Sequence, residues 1–279
     1  MTESKDKRSK AKKLLAPWDI VKISRHPQRP VFQDYLQRIF TNFIELQGDR
    51  YFGDDRAIIG GFAEIGGKRI VLIGHNKGKN TEEQLERNFG MAKPEGYRKA
   101  LRLMKLAQRF NLPVVTVIDT PGAFPGLEAE ERGQAESIAR NITEMASLEV
   151  PVVAVVIGEG GSGGALGIGV GDRILMLSNA IYSVISPEGC AAILWRDAKF
   201  APDAAEALNL TAEALLRHGV IDEIIPEPGE GAHTNYEKTA ESVRKAILKN
   251  LDELKKISTP ELLDQRFAKY SAMGKFGVE

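Results

Sequence analysis

Six of the ten residues 158–167, GEGGSGGALG, are glycine, and the apolar run of residues 151–157 leads directly into them. Glycine-rich turns between a buried strand and a helix serve three kinds of chemistry. They cradle phosphates, they present a serine nucleophile, or their backbone amides stabilise a developing negative charge. These interpretations predict different functions, and the residues around the glycines have to decide among them.

The phosphate-binding interpretation rests on the spacing of residues 158–163, which matches the G-x-G-x-x-G pattern of dinucleotide sites. Such sites also need an acidic residue at the end of the next strand to hold the ribose, and the predicted strand Arg173–Leu177 is followed by none. A P-loop is excluded because Gly164 and Ala165 stand where lysine and a hydroxyl residue are required. Nucleotide binding is therefore only weakly supported.

The nucleophile interpretation rests on Ser162, which lies between Gly160 and Gly164 in the G-x-S-x-G spacing of hydrolase elbows. Acids and histidines follow it in an order that permits a catalytic triad. However, the sequence around His218 and His233 does not indicate a positioned base, and a serine among glycines is often there because it is small. A serine hydrolase remains an alternative.

The third interpretation needs no reactive side chain. A strand that ends in glycines and opens a helix points amide groups at one spot, where the helix dipole adds partial positive charge. Glycine also lets a ligand approach the backbone without a Cβ in the way. The segment would then be an oxyanion hole. The competing explanation is that the glycines only allow the helix to pack closely on the strand.

A second turn favours the oxyanion hole. Residues 119–126, DTPGAFPG, follow another apolar strand, and both strands begin with a proline and end in a glycine turn. Continuous apolar strands of this kind are buried and usually parallel, which places both turns at one edge of the sheet. We expect a slot between them. Asp119 is a candidate base, although an aspartate before Thr-Pro-Gly more often caps a turn.

The composition restricts the function further. The chain has 279 residues, 43% hydrophobic and 27% charged, with 38 basic and 38 acidic side chains. No apolar run reaches the roughly 18 residues of a membrane span. Neither the lone Cys190 nor the four histidines show metal-ligand spacing, so no metal site is predicted. A basic cluster near the start (residues 5–13) is interpreted as a solvated tail, with an arm for RNA or another acidic partner as the alternative.

Periodicity predicts the elements that carry these turns. Helices are expected over residues 31–46, 95–110 and 128–148, a hairpin turns at residues 65–68, and residues 236–273 are largely helical. The predicted organisation is a basic tail and lead-in over 1–29, a main domain over 30–255 and a C-terminal helical extension over 256–279. The absence of a secretory signal pattern and the single cysteine predict a cytoplasmic location.

Four segments in unbroken order identify a family. RNFGMAKPEGYRKALRLMKLA, DTPGAFPGLEAEERGQ, GEGGSGGALGIGVGD and YSVISPEGCAAILW together resemble the carboxyltransferase α subunits of bacterial acetyl-CoA carboxylases, and the similarity spans residues 30–260. The resemblance implies an α/β crotonase-like spiral of repeated ββα units. It also implies transfer of a carboxyl group from carboxybiotin to acetyl-CoA, which gives malonyl-CoA, the first committed step of fatty acid synthesis.

The resemblance also implies partners. The family works as an α2β2 assembly with the active site between the subunits, and the β subunit carries the zinc and most of the acetyl-CoA site. Biotin is carried by a separate carrier protein and is carboxylated by a biotin carboxylase. Neither a membrane nor a nucleic acid is expected among the partners.

By the same resemblance, the amides of Gly163 and Gly164 form an oxyanion hole for the ureido oxygen of biotin. The other implied substrate-binding residues are Gly122, Ala123, Phe124, Pro125 and Ala165. The released biotin anion can take the proton of the acetyl methyl group, so no protein base is required. Two features depart from the family: Phe124 replaces a frequent tyrosine, and the longer N-terminal helical segment of many members is reduced to a short basic tail.

Overall fold

The computed structural model describes residues 15–274, which form a mixed sheet of eight strands with helices packed around it. The strands are β1 (Thr41–Glu45), β2 (Ile58–Ile65), β3 (Lys68–His75), β4 (Val114–Thr120), β5 (Val152–Gly161), β6 (Arg173–Leu177), β7 (Ile181–Ser183) and β8 (Glu223–Ile225). The helices are α1 (Pro17–Ser24), α2 (Phe32–Ile39), α3 (Thr81–Glu86), α4 (Pro94–Arg109), α5 (Leu127–Glu131), α6 (Gln134–Ala146), α7 (Ser162–Leu166), α8 (Pro187–Trp195), α9 (Ala201–Ala207), α10 (Ala212–Arg217), α11 (Tyr236–Leu254) and α12 (Thr259–Ser271).

The strands are ordered β1-β2-β3-β4-β5-β6-β8, and β7 pairs with the end of β5. The first three strands are antiparallel to each other, whereas β3 to β6, β7 and β8 pair in parallel. The predicted hairpin is confirmed: it turns at Gly66 and Gly67, whose positive φ angles of 54° and 76° favour glycine. The carboxyl ends of β4 and β5 therefore lie side by side.

The two strands that carry the predicted turns form the centre of the core. Every residue of β4 is buried, and so is every residue of β5 up to Gly160. Both faces of the sheet are covered, which is why these strands read as unbroken apolar runs rather than alternating ones. The expectation of two buried, parallel, neighbouring strands is confirmed.

Two predicted helices are shorter in the structure. The helix expected over residues 31–46 ends at Ile39, because Phe40 turns extended and the chain continues as β1 along the edge of β2. Hydrogen bonding to β2 outweighs the helical spacing of the apolar residues there. The helix expected over residues 128–148 divides into α5 and α6 at Gly133, whose φ of 83° interrupts the helix.

The segment before residue 30 is more ordered than the irregular lead-in that was expected. Helix α1 begins at Pro17, a position that suits a residue without an amide hydrogen, and its Val21 packs in a small cluster with Ile181, Ala205 and Leu210. The basic residues 5–13 lie outside the described residues. The three predicted domain boundaries remain predictions.

Helix α12 is tied to the core by one side chain. Arg266 is 1% exposed and donates to both carboxylate oxygens of Asp172, at 2.8 Å each. Its remaining donors reach the carbonyls of Met145, Leu148 and Val150. Asp172 in turn accepts a hydrogen bond from the amide of Val152, the first residue of β5, at 2.7 Å.

Among residues 15–274, no helix is long and apolar enough to cross a membrane.

Candidate active site

The two turns predicted to face each other touch through their backbones. We call residues 121–126, after β4, the proline turn, and residues 161–164, where β5 ends and α7 begins, the glycine turn. A Cβ added at Gly161 would lie 2.1 Å from the carbonyl oxygen of Pro121, and one at Gly164 would lie 2.4 Å from the carbonyl carbon of Gly122. No other residue type fits these two positions without moving the backbone, so Gly161 and Gly164 are explained by packing.

Two other glycines of the same turns are not explained by packing. A Cβ at Gly122 would have no atom within 4 Å, and one at Gly163 would meet only Ile138, at an ordinary 3.8 Å. Neither has a positive φ that would require glycine. Both residues are half-buried at the surface of the pair of turns. The unfilled space beside their Cα atoms is where a ligand can approach the backbone closely.

The glycine turn presents amides without protein acceptors. Helix α7 starts at Ser162, so the amides of Gly163 and Gly164 belong to its first turn and have no partner within the helix. Across residues 15–274, neither amide donates to another protein group. Because α7 has only five residues, the site depends on these amides more than on the helix dipole that the sequence suggested. Such a pair of free donors suits an oxyanion.

The proline turn is held by side chains that sequence reasoning missed. Thr120 donates its hydroxyl to the carbonyl of Gly122 at 2.6 Å. The buried amide of Gln134 donates to the carbonyls of Phe124 and Ala92, at 2.9 and 2.8 Å. Gln134 is the last residue of the DTPGAFPGLEAEERGQ motif. A polar residue at that position was the one indication in the sequence of a side chain that could bind the turn. These bonds keep the proline turn rigid beside the glycine turn.

The structure separates the predicted site residues into two groups. Gly122, Ala123 and Phe124 are half-buried and Pro125 is exposed, so together they form an accessible wall. Ala165 is fully buried in the main core, because the short helix turns its side chain inward. Its role in substrate binding stays a prediction.

The carboxylate of Asp119 is bound by donors within the protein. Its Oδ1 accepts the amide of Glu159 at 3.0 Å and the ammonium of Lys77 at 3.4 Å, and the residue is 4% exposed. The interpretation of this aspartate as a turn residue fits these contacts better than the role of a general base.

Family comparison settles the class of protein. A family model described as "Acetyl co-enzyme A carboxylase carboxyltransferase-like" matches residues 1–274. The chain belongs to this family. The α subunit of the acetyl-coenzyme A carboxylase carboxyl transferase of Geobacter metallireducens is 56% identical over 262 residues, which are 94% of this chain and 82% of that protein. The corresponding subunit of Methylococcus capsulatus is 58% identical over 260 residues, 93% of this chain and 81% of that protein.

Solved structures show the fold of the family. A transcarboxylase 12S chain matches with a TM-score of 0.66 at 18% identity, over 84% of this chain and 44% of that chain. A Pseudomonas malonate decarboxylase MdcD-MdcE hetero-dimer matches with a TM-score of 0.63 at 15% identity, over 78% and 89% of the two chains. This chain therefore spans less than half of the transcarboxylase chain. The expected crotonase-like carboxyltransferase fold is confirmed.

Ser162 has one feature of a nucleophile and lacks the others. Its φ of 50° resembles the strained turn of a hydrolase elbow. However, its hydroxyl makes no hydrogen bond to a histidine in the part of the chain that the structure describes. His75, beside the carbonyl of Gly164, is fully buried, and this burial lowers its pKa to about 3 despite the opposing effect of that carbonyl. Within residues 15–274 of this carboxyltransferase chain, the geometry does not build a triad around Ser162.

No cluster of potential metal ligands occurs within residues 15–274. The charged groups nearest the glycine turn pair with each other instead: Glu159 contacts Arg25 at 2.6 Å and Lys77 at 3.2 Å. Sequence reasoning did not single out this cluster. Its only signal was the glutamate inside GEGG, which would be costly to bury without a cationic partner.

Proposed function

We propose that this chain supplies the biotin-binding half of an acetyl-CoA carboxyltransferase, which moves the carboxyl group of carboxybiotin to acetyl-CoA to give malonyl-CoA. The observation that carries the proposal is the pair of open glycines, Gly122 and Gly163, on two rigid turns that touch. The space beside their Cα atoms and the free amides of Gly163 and Gly164 fit a flat ureido ring with a negatively charged oxygen.

The proposed work of the glycine turn is electrostatic. Biotin, when bound, supplies the carboxyl group and leaves negative charge on its ureido oxygen. The amides of Gly163 and Gly164 would donate to that oxygen from fixed positions, so they need not reorganise during the reaction. Loss of one such donor typically costs about 3 kcal/mol of transition-state stabilisation.

The proline turn would orient the ring. Gly122 leaves room for it, while Ala123, Phe124 and Pro125 would form its wall. The ammonium of Lys93 lies 4.8 Å from the centre of the Phe124 ring and restrains that side chain. Phe124 has no hydroxyl, so its contribution would be shape and apolar contact rather than a hydrogen bond.

Proton transfer would not need a base from this chain. The oxygen Oδ1 of Asp119 is occupied by two donors inside the protein, and His75 is buried in its neutral form. Biotin held by these residues would itself supply the acceptor for the acetyl methyl proton. The role of this chain would be to bind, orient and stabilise charge.

The remaining parts of the proposal concern partners. We propose that a carboxyltransferase β subunit completes the site in an α2β2 assembly and contributes the zinc and most of the acetyl-CoA site. A biotin carboxyl carrier protein would deliver the biotin, and a biotin carboxylase would load it. The location of the assembly would be the cytoplasm.

The test uses the full chain with and without a β subunit. Malonyl-CoA and free biotin are supplied, and the formation of acetyl-CoA is followed. We expect activity from the mixture and none from either subunit alone; full activity of this chain alone would refute the division of roles. Ser162→Ala is the matched control beside the glycine pair. It should remain active, whereas a serine hydrolase would lose all activity and would be labelled at Ser162 by a fluorophosphonate.

A further inference from the structure

We propose that Lys77, Asp119, Glu159 and Arg25 are positioning residues that fix a bulge in β5 and thereby set where the amides of Gly163 and Gly164 lie. This inference rests on the proposed function of those amides. It assigns a role to a charged cluster that the reaction itself does not use.

The bulge is visible in the pairing of β5 with β4. Ile118 pairs with Val156, but Thr120 pairs with Gly160, so β5 carries extra residues over this stretch. Bulges interrupt the ladder of backbone hydrogen bonds and re-aim the chain that follows, and they are frequent next to active sites. Here the chain that follows is the glycine turn.

Asp119 replaces the backbone partner that the bulge removes. Its Oδ1 accepts the amide of Glu159, an extra residue of β5, at 3.0 Å. Gly158 makes this contact possible, because a Cβ there would lie 2.4 Å from the same oxygen. The first glycine of the GEGG motif is thus explained by the position of the Asp119 carboxylate.

Two cations then fix the side chain of Glu159. Lys77 lies 3.4 Å from the carboxylate of Asp119 and 3.2 Å from that of Glu159, so it bridges β4 and β5. Arg25 binds the second oxygen of Glu159 at 2.6 Å and Glu188, in the first turn of α8, also at 2.6 Å. The cluster joins the segment after α1, the segment after β3, both central strands and α8.

The charges of the cluster support each other. Burial lowers the pKa of Lys77, but the carboxylates of Asp119 and Glu159 outweigh this and raise the pKa overall. Burial alone would raise the pKa of Glu159, yet Lys77 and Arg25 bring it below its usual value. Lys77, Arg25 and Glu159 are therefore held in their charged forms at neutral pH. When a buried ion cluster is replaced by well-packed apolar residues, the fold is often equally stable or more stable. This favours a positional role for the cluster over a purely stabilising one.

The bulge is held from a second side. Arg29 is buried and donates its Nε to the carbonyl of Ile157, the residue before Gly158, at 2.8 Å. Its Nη atoms contact both oxygens of Glu227, at 3.1 and 2.7 Å. Both arginines lie in the segment between α1 and α2, so this segment reaches the site through the irregular part of β5.

The experiment measures kcat and KM of the reconstituted full-length subunits with malonyl-CoA and free biotin. Lys77→Met keeps the aliphatic length and removes the charge, and we expect kcat to fall about 100-fold, the usual consequence of an approximately 1 Å displacement of a catalytic group. The KM for malonyl-CoA should stay unchanged. Lys77→Arg should recover most of the lost kcat, because it restores the charge that bridges the two carboxylates.

The matched control is Asp172→Asn, which alters the ion pair at the opposite end of the same strand. It should lower the melting temperature and leave kcat of the folded enzyme unchanged. Glu159→Gln is the second variant should Lys77→Met fail to fold, and it should lower kcat in the same way.

Two results would overturn the inference: unchanged kcat in folded Lys77→Met or Glu159→Gln, or equal losses of kcat in Lys77→Met and Lys77→Arg. The wild-type assay distinguishes the two proposals. An inactive wild-type mixture would refute the proposed function, whereas an active wild type with active variants would refute only the role of the cluster.

Discussion

The two ends of β5 are both surrounded by charged side chains, but they are built for different purposes. At the amino end, Arg266 and Asp172 are almost fully buried, and each has its donors or acceptors satisfied by the protein. At the carboxyl end, the charged cluster surrounds a bulge and leads to two amides that have no acceptor among the described residues. Buried charges therefore close the core at the amino end of β5, whereas at the carboxyl end they position a backbone whose amides are open to a ligand.

The same contrast exists among the glycines of the carboxyl end. Gly161 and Gly164 are required because the backbone of the proline turn lies against them, whereas Gly122 and Gly163 have free space beside their Cα atoms. The first pair holds the turns together and the second pair leaves them open. Each of the following predictions tests one side of these contrasts.

The largest effect is expected for Arg266→Met. The substitution leaves the Asp172 carboxylate and the carbonyls of residues 145, 148 and 150 without their donor. Breaking a buried ion pair typically costs about 3 to 5 kcal/mol. Denaturant unfolding of the purified chain should show this loss in the free energy of unfolding. Specific activity of the folded, reconstituted enzyme should be retained; a selective loss of kcat would show that the two ends of β5 are not functionally distinct.

Gly163→Ala should reduce transfer without reducing stability. The added methyl group meets only the Ile138 side chain at 3.8 Å, but it occupies the space in which the ureido oxygen would approach the amide. We expect kcat to fall about 100-fold, comparable to the loss of one oxyanion donor. Steady-state kinetics measures the expected loss of kcat, and thermal melting measures the expected unchanged stability. Wild-type kcat in a well-folded Gly163→Ala would contradict the assignment of the open glycines.

Gly164→Ala is the counterpart on the packed side. Its Cβ would overlap the backbone of Gly122 and Ala123, at 2.4 and 2.5 Å, so the two turns would have to separate. Overpacking of this kind costs about 1 to 3 kcal/mol. Thermal melting should therefore show a lower melting temperature than that of Gly163→Ala. Equal stability of the two variants would remove the distinction between packed and open glycines.

The smallest expected effect is a pH dependence of folding stability that arises from His75, close to the carboxyl end of β5. Burial lowers the pKa of His75 from 6.5 to about 3, so below pH 6.5 the unfolded chain binds a proton that the folded chain does not. The contribution of His75 to stability therefore falls as the pH falls, by about 1 kcal/mol over the first pH unit below 6.5.

The free energy of unfolding of His75→Gln, measured as a function of pH, should lack this decrease below pH 6.5, because glutamine does not titrate. We call this decrease the His75 slope. The exposed His218 provides the control, and His218→Gln should keep the slope. An unchanged slope in His75→Gln would mean that another group is responsible.

Much of the fold was predictable because its signals are local. The apolar runs of β4 and β5 and the glycines of the β2–β3 hairpin depend on neighbours in the chain, and the structure confirms both. The helix expected over residues 31–46 ends at Ile39 because pairing of β1 with β2 is a long-range interaction. Residues 17–24 were missed because a helix of eight residues is too short to show a clear periodicity.

The family, the two parallel strands and the pair of turns that carry Gly122 and Gly163 could be predicted from the sequence, because motif order and strand patterns are local properties of the chain. The three-dimensional packing was needed to show which glycines are packed and which are open, and that Ala165 faces the core. It was also needed to show that four charged side chains meet at a bulge: Arg25, Lys77, Asp119 and Glu159. These depend on distances between atoms from different elements, and no spacing along the chain encodes such distances.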